Sequence, residues 1–202
     1  MKKLSLLLVT VVLMCSFMPG KRHTAVEDRA LLISQLQQTK EKLLKDLEGL
    51  SDQQLEYKSA PDRWSVIECV EHITLAEKGF LDGVQQLVKQ PANPEKRSDV
   101  KVTDEGILTM VTDRSHKFKA PDPLQPKHTL GKPTDVIKAF TEQRDKLIDY
   151  VTNTTDELRS HISDKMPLGP MDAYQILLLD AAHTTRHTMQ LEEVKASEGF
   201  PK

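Results

Sequence analysis

The chain has 202 residues, enough for one domain with a substantial core. Aromatic residues make up only 4% of it and charged residues 29%, a balance that suits helices packed through Leu, Val, Ile and Ala better than a β-sandwich. Its 28 basic residues face 30 acidic ones with no basic stripe, so nucleic acid is not an expected partner.

Residues 1–20 read as a secretory signal peptide. Lys2 and Lys3 precede a nearly unbroken apolar run from Leu4 to Met14, too short for a bilayer span but suited to the hydrophobic part of a signal. Ser16, Pro19 and Gly20 follow, without an A-x-A cleavage pattern. An uncleaved N-terminal anchor and a lipid on Cys15 are the less favoured alternatives. The expected location is therefore exported, periplasmic or secreted, with no stable membrane insertion after cleavage. Losing Lys2 and Lys3 takes the net charge from −2 to about −4. It also leaves Cys69 as the one remaining cysteine, so an intrachain disulfide cannot form and the fold must rest on its core.

The mature domain, 24–202, is expected to be an all-α four-helix bundle. Leu31, Leu32, Leu36, Leu43, Leu44 and Leu47 recur at helical spacing and predict helix one over 26–50. A connector with Pro61 and Trp64 leads to Ser65 and Glu68, a capping-box pair that opens helix two, which runs to about Lys89. Residues 91–133 hold six prolines and one short helical pattern over 104–115. A crossover this long predicts that helices two and three run parallel. Helix three begins near Thr134 and Asp135 and fades at Asn153. Asp172 is the expected N-cap of helix four, which carries Ile176, Leu177, Leu179, His183, His187, Leu191 and Val194.

The chemistry lies in His183 and His187. Residues four apart share a helix face, so their imidazoles can aim at one point and clamp an ion such as Zn²⁺ or Ni²⁺. A third ligand must come from elsewhere, and His72, among Cys69, Leu75 and Ala76 on helix two, is the best supplier. Buried imidazoles need partners, which a divalent ion supplies. His161 is expected to be peripheral, and His23, His116 and His128 to lie outside the site. Glu68 reads first as the cap of Ser65 and second as an acceptor behind the ligands. Arg186 and Gln190 flank the pair and either line a pocket or join helices. Trp64 is expected over the bundle end. Cys69 could serve as a fourth ligand, but reads better as a small buried apolar group.

Trp64-Ser65-x-x-Glu68-x-x-x-His72, followed by His183-x-x-Arg186-His187-x-x-Gln190, resembles the DinB-like superfamily, specifically its second DinB-like group. That superfamily also contains bacillithiol S-transferases and related thiol transferases. The resemblance runs from about Val26 to Pro201 and includes the ending Gly199-Phe200-Pro201. It implies a four-helix bundle, often a homodimer, with the three histidines on a divalent metal ion. Three ligands leave a coordination position open, as in catalytic sites. The resemblance thus implies thiol-dependent S-transfer through a metal-bound thiolate, with a small-molecule thiol or electrophile as substrate. Export argues against it, because small thiols are kept reduced mainly in the cytosol. Metal-dependent hydrolysis and a non-catalytic metal-binding or interaction module are the alternatives.

Overall fold

The computed structural model describes residues 24–202. The expected signal segment 1–20, Cys15 and His23 lie outside the described residues. Among those described, no helix is long and apolar enough to cross a membrane.

The described residues form six α-helices: α1 (Ala25–Leu47), α2 (Asp52–Leu55), α3 (Val66–Leu87), α4 (Asp104–Thr112), α5 (Pro133–Asn153) and α6 (Ala173–Lys195). The long ones, α1, α3, α5 and α6, are the four helices the sequence predicts. Reciprocal side-chain caps start three of them. Ser65 N–H donates to Glu68 at 2.8 Å while Glu68 N–H donates to the Ser65 hydroxyl at 3.2 Å. Thr24 with Glu27 does the same for α1, and Asp172 with Gln175 for α6. Each pair satisfies amide groups that a first helical turn leaves unbonded. Gly49, at φ 74°, follows the end of α1 in a left-handed conformation that a side chain would oppose.

Two apolar clusters establish helix direction. One joins Leu32 and Leu36 of α1 to Leu81 and Val84 of α3, Leu147 and Val151 of α5, and Ile176 to Leu179 of α6. The other joins Leu43 and Leu47 to Val66, Cys69, Val70 and Ile73, to Val136 and Phe140, and to Leu191 and Val194. The start of α1 therefore meets the start of α6 and the ends of α3 and α5. Helices α3 and α5 run parallel, as the long crossover predicts, and both oppose α1 and α6. Each wholly buried leucine contributes about 2 kcal/mol.

Between the clusters lies a polar layer. Arg144 of α5 is wholly buried. Its guanidinium donates to Glu77 of α3 at 2.8 Å, to the Leu36 carbonyl and Thr39 hydroxyl of α1 at 2.9 and 2.7 Å, and to the Thr184 hydroxyl of α6 at 2.7 Å. One side chain thus bonds to every other long helix.

The connecting segments depart from the sequence reading in several places. The segment after α1 contains the short helix α2, capped by Ser51. The predicted helix over 104–115 stops at Thr112, and α4 packs along α6. Two short strands, β1 (Ile162–Ser163) and β2 (Met171–Asp172), pair antiparallel just before α6. They hold too few residues for periodicity to reveal them. Arg159 sits beside this ribbon and binds Asp28, Asp104 and Asp172, acidic groups at the starts of α1, α4 and α6. Carboxylates are favoured at helix N-termini, and the arginine gathers three of them.

Candidate metal centre

Ten residues into α6 the helix presents His183, and one turn later His187, on the face turned toward α3. His72 arrives from α3, six residues beyond its first residue. One ligand-capable atom from each of the three histidines lies within 4.8 Å of the other two. The rings of His72 and His187, and those of His183 and His187, have centroids 4.4 Å apart. Nε2 of His72 is 3.2 Å from Nε2 of His183. Residues 111 apart in sequence are thus in direct contact. His72 and His187 are buried, and His183 is partly exposed.

Two of the three rings are oriented from behind. The Leu124 carbonyl is 2.7 Å from His72 Nδ1, and a carbonyl can only accept, so that nitrogen carries the hydrogen. The Gln190 side-chain oxygen is 2.8 Å from His187 Nδ1 and fixes the same tautomer. In both residues the outer nitrogen is bonded and Nε2 keeps its lone pair. Ligating histidines are held this way in metal proteins. The Nδ1 of His183 is buried and has no partner.

Burial keeps the cluster uncharged. It lowers the pKa of His72, opposed by the Leu124 carbonyl. It lowers that of His183 to about 3, with His72 and Arg186 pushing the same way. The pKa of His187 falls further, again chiefly through burial and then through the other two imidazoles. Three neutral imidazoles whose nitrogens converge suit a divalent cation, since the ligand form of imidazole is the unprotonated one. The residues present therefore fit such an ion.

Other residues predicted for the site take distinct places. Glu68 is the cap of Ser65, and its second oxygen meets Lys58 at 2.7 Å and His128 at 3.2 Å. No hydrogen bond joins it to the three imidazoles among the described residues. Arg186 binds the crossover, donating to the carbonyls of Val111 and His116 at 3.0 and 2.6 Å and to that of Asp113. Trp64 packs at the end of the bundle where α3 starts, and its ring also lies on the cluster, 4.7 Å from the His72 ring and 5.8 Å from that of His187. Cys69 is buried in the apolar cluster, where burial raises its thiol pKa strongly, and it is not part of the histidine group. His161 is away from the cluster, and its carbonyl accepts from Ala173. His128, placed by sequence outside the site, adopts φ 55° and reaches Glu68.

Glu71 is a site residue that the sequence reading missed. It lies beside His72, is buried, and accepts hydrogen bonds from the His128 and Thr129 amides at 3.0 and 2.7 Å and from the Thr129 hydroxyl at 3.0 Å. These bonds hold the stretch of crossover that brings Leu124 against His72. A glutamate immediately before a candidate ligand is the signal that could have found it.

The DinB superfamily model matches residues 35–191, which includes α3, most of α6 and all three histidines. The chain belongs to the DinB superfamily. Within it, the chain is similar to the uncharacterized protein YuaE of Bacillus subtilis, at 24% identity over 150 residues, covering 74% of this chain and 88% of that protein. Its fold is similar to that of YfiT from Bacillus subtilis, described as a probable metal-dependent hydrolase with an unusual four-helix bundle topology. That similarity has a TM-score of 0.59 at 14% identity and covers 93% of this chain and 97% of YfiT. DinB-like membership and the four-helix bundle are thus as the sequence motifs imply.

Proposed function

We propose that this DinB-family chain is an exported metal-dependent enzyme that holds one divalent ion, zinc or nickel, on His72, His183 and His187. The observation that carries the proposal is the convergence of three neutral imidazoles from two helices. When bound, the ion supplies Lewis acidity, which makes an attacking thiol or water a stronger acid.

The remaining roles belong to the chain itself. Leu124 and Gln190 hold two imidazoles by their outer nitrogens. Trp64 covers one side and shields the rings from water. His183, partly exposed, marks the side open to substrate.

The reading favoured is thiol-dependent S-transfer to a small electrophile. Among the described residues, the cluster of converging groups holds imidazoles alone, without a carboxylate. Activating water is a large step in acidity and profits from a general base. A thiol, with an ordinary pKa of about 8.5, needs little help. Hydrolysis is the second reading, supported by what is said of YfiT. Export rests on residues 1–20, and a homodimer on the family resemblance.

Zinc- and nickel-loaded protein should be assayed with several small thiols against a chromogenic electrophile, beside an ester, amide and phosphate panel. Thiol-dependent conjugation that disappears in His183→Ala is the expected result. Turnover only on the hydrolytic panel would replace the first reading with the second. If chelation lowers the melting temperature and neither panel turns over, the site is non-catalytic.

A further inference from the structure

The three imidazoles are not in equivalent tautomers. His72 carries its hydrogen on Nδ1, where Leu124 accepts it, so its Nε2 is a bare lone pair. Nε2 of His183 stands 3.2 Å away, a hydrogen-bond distance, and two bare nitrogens there would repel. The hydrogen between them is therefore on His183 Nε2. Its Nδ1 is correspondingly bare, buried and without a partner.

To offer Nε2 to a cation, His183 must change tautomer: the Nε2 hydrogen leaves to solvent and Nδ1 gains one, with no net change on the ring. The new Nδ1–H is buried, and leaving it unbonded would carry the full penalty of a desolvated donor. It needs an acceptor.

Asp180 is suited to that need. Both its carboxylate oxygens are buried with no hydrogen-bond partner, and the residue is wholly inaccessible. It precedes His183 by three residues on α6, a spacing that puts two side chains on one face. Helical side chains lean toward the N-terminus, so the His183 ring overlies the turn that carries Asp180. Arg144 NH2 lies 3.8 Å from Asp180 and is anchored by Glu77, Leu36, Thr39 and Thr184. This offsets the charge of a carboxylate that would otherwise be isolated in the core.

We propose that Asp180 is the positioning residue for His183, accepting the Nδ1–H this ligand acquires when its Nε2 faces a cation. It would complete the pattern that Leu124 and Gln190 set for the other two imidazoles. The proposal rests on the metal-site reading above, and its test separates the two.

The test uses zinc chloride alone on untagged full-length protein. Long-range ¹H–¹⁵N spectra of the wild type report which His183 nitrogen is protonated before and after zinc. Titration calorimetry then compares wild type, Asp180→Asn, Asp180→Leu and Glu77→Gln. The expected result is a His183 hydrogen that moves from Nε2 to Nδ1. Affinity should fall about 10–100-fold in Asp180→Leu. Asp180→Asn, whose amide oxygen can still accept, should fall between Asp180→Leu and wild type. Glu77→Gln disturbs the same arginine from the other helix and should bind zinc nearly as wild type does. A His183 hydrogen that stays on Nε2 would overturn the proposal, as would equal losses in Asp180→Leu and Glu77→Gln. The wild-type spectra decide the matter even if a variant does not fold. Absence of zinc binding to the wild type would instead remove the metal-site reading itself.

Discussion

Acid should destabilise the metal-free protein through its own candidate ligands. His72, His183 and His187 are neutral in the fold because burial lowers their pKa values, that of His183 to about 3. Unfolded, each returns to about 6.5. Between those values the unfolded chain binds protons that the folded chain refuses, so stability falls as pH drops below 6.5 and recovers above it. Relative to pH 7.5, His183 and His187 should each cost about 1.4 kcal/mol at pH 5.5, about 3 kcal/mol together, and His72 adds to the loss. Asp180 and Glu77, whose pKa values burial raises, push the opposite way, so the measurement must be differential. Urea unfolding followed by circular dichroism, with chelator present, should be run at both pH values on wild type, His183→Gln and His187→Gln. Each variant should lose about 1.4 kcal/mol less than wild type between pH 7.5 and 5.5. Variants whose acid losses match that of wild type would refute the reasoning.

Three further outcomes follow from the same structure. Arg144→Met strips the bonds to α1, α3 and α6 and leaves Glu77 and Asp180 buried without a cation, so it should cost about 3–5 kcal/mol in urea unfolding; a cost of 1 kcal/mol or less, as for an exposed pair, would contradict the buried network. Cys69→Ala should leave metal stoichiometry unchanged in elemental analysis, because the thiol is buried in the apolar cluster rather than in the histidine group; a lost ion would contradict that. Trp64 is the single tryptophan and lies against two of the imidazoles, so Ni²⁺ or Cu²⁺ should quench the intrinsic fluorescence in proportion to site occupancy; unchanged fluorescence at saturation would place the ion elsewhere.

Local signals explain what the sequence made legible. Ser65 with Glu68 and Asp172 with Gln175 are caps formed within four residues, and the structure has both. Four-residue spacing placed His183 and His187 on one face, but it could not bring His72 to them. The apolar neighbours of His72 and then the family motif pointed to it, because how α3 and α6 pack is not local information. Leu124 acts through its carbonyl, which no side-chain pattern announces. Glu71 and Arg186 bind backbone groups of the crossover, so their roles depend on a loop path that periodicity does not constrain.

The polar layer was more legible than its neglect suggests. Leu36, Thr39 and Leu43 on α1, Phe140, Arg144 and Leu147 on α5, and Leu177, Asp180, Thr184 and His187 on α6 keep the three-and-four spacing of a core face. Polar residues in that register point to partners inside the core. Thr39, Asp180 and Thr184 are the contacts of Arg144 with its neighbours, placed there because a buried guanidinium must have all its donors met.

The most direct test of the central claim is zinc titration of untagged, chelator-treated protein, followed by elemental analysis, with His72→Ala, His183→Ala and His187→Ala alongside. One ion per wild-type chain, with binding severely weakened in each variant, is the predicted result. A wild type that binds no ion, or a His72→Ala variant that binds as tightly as wild type, would contradict it.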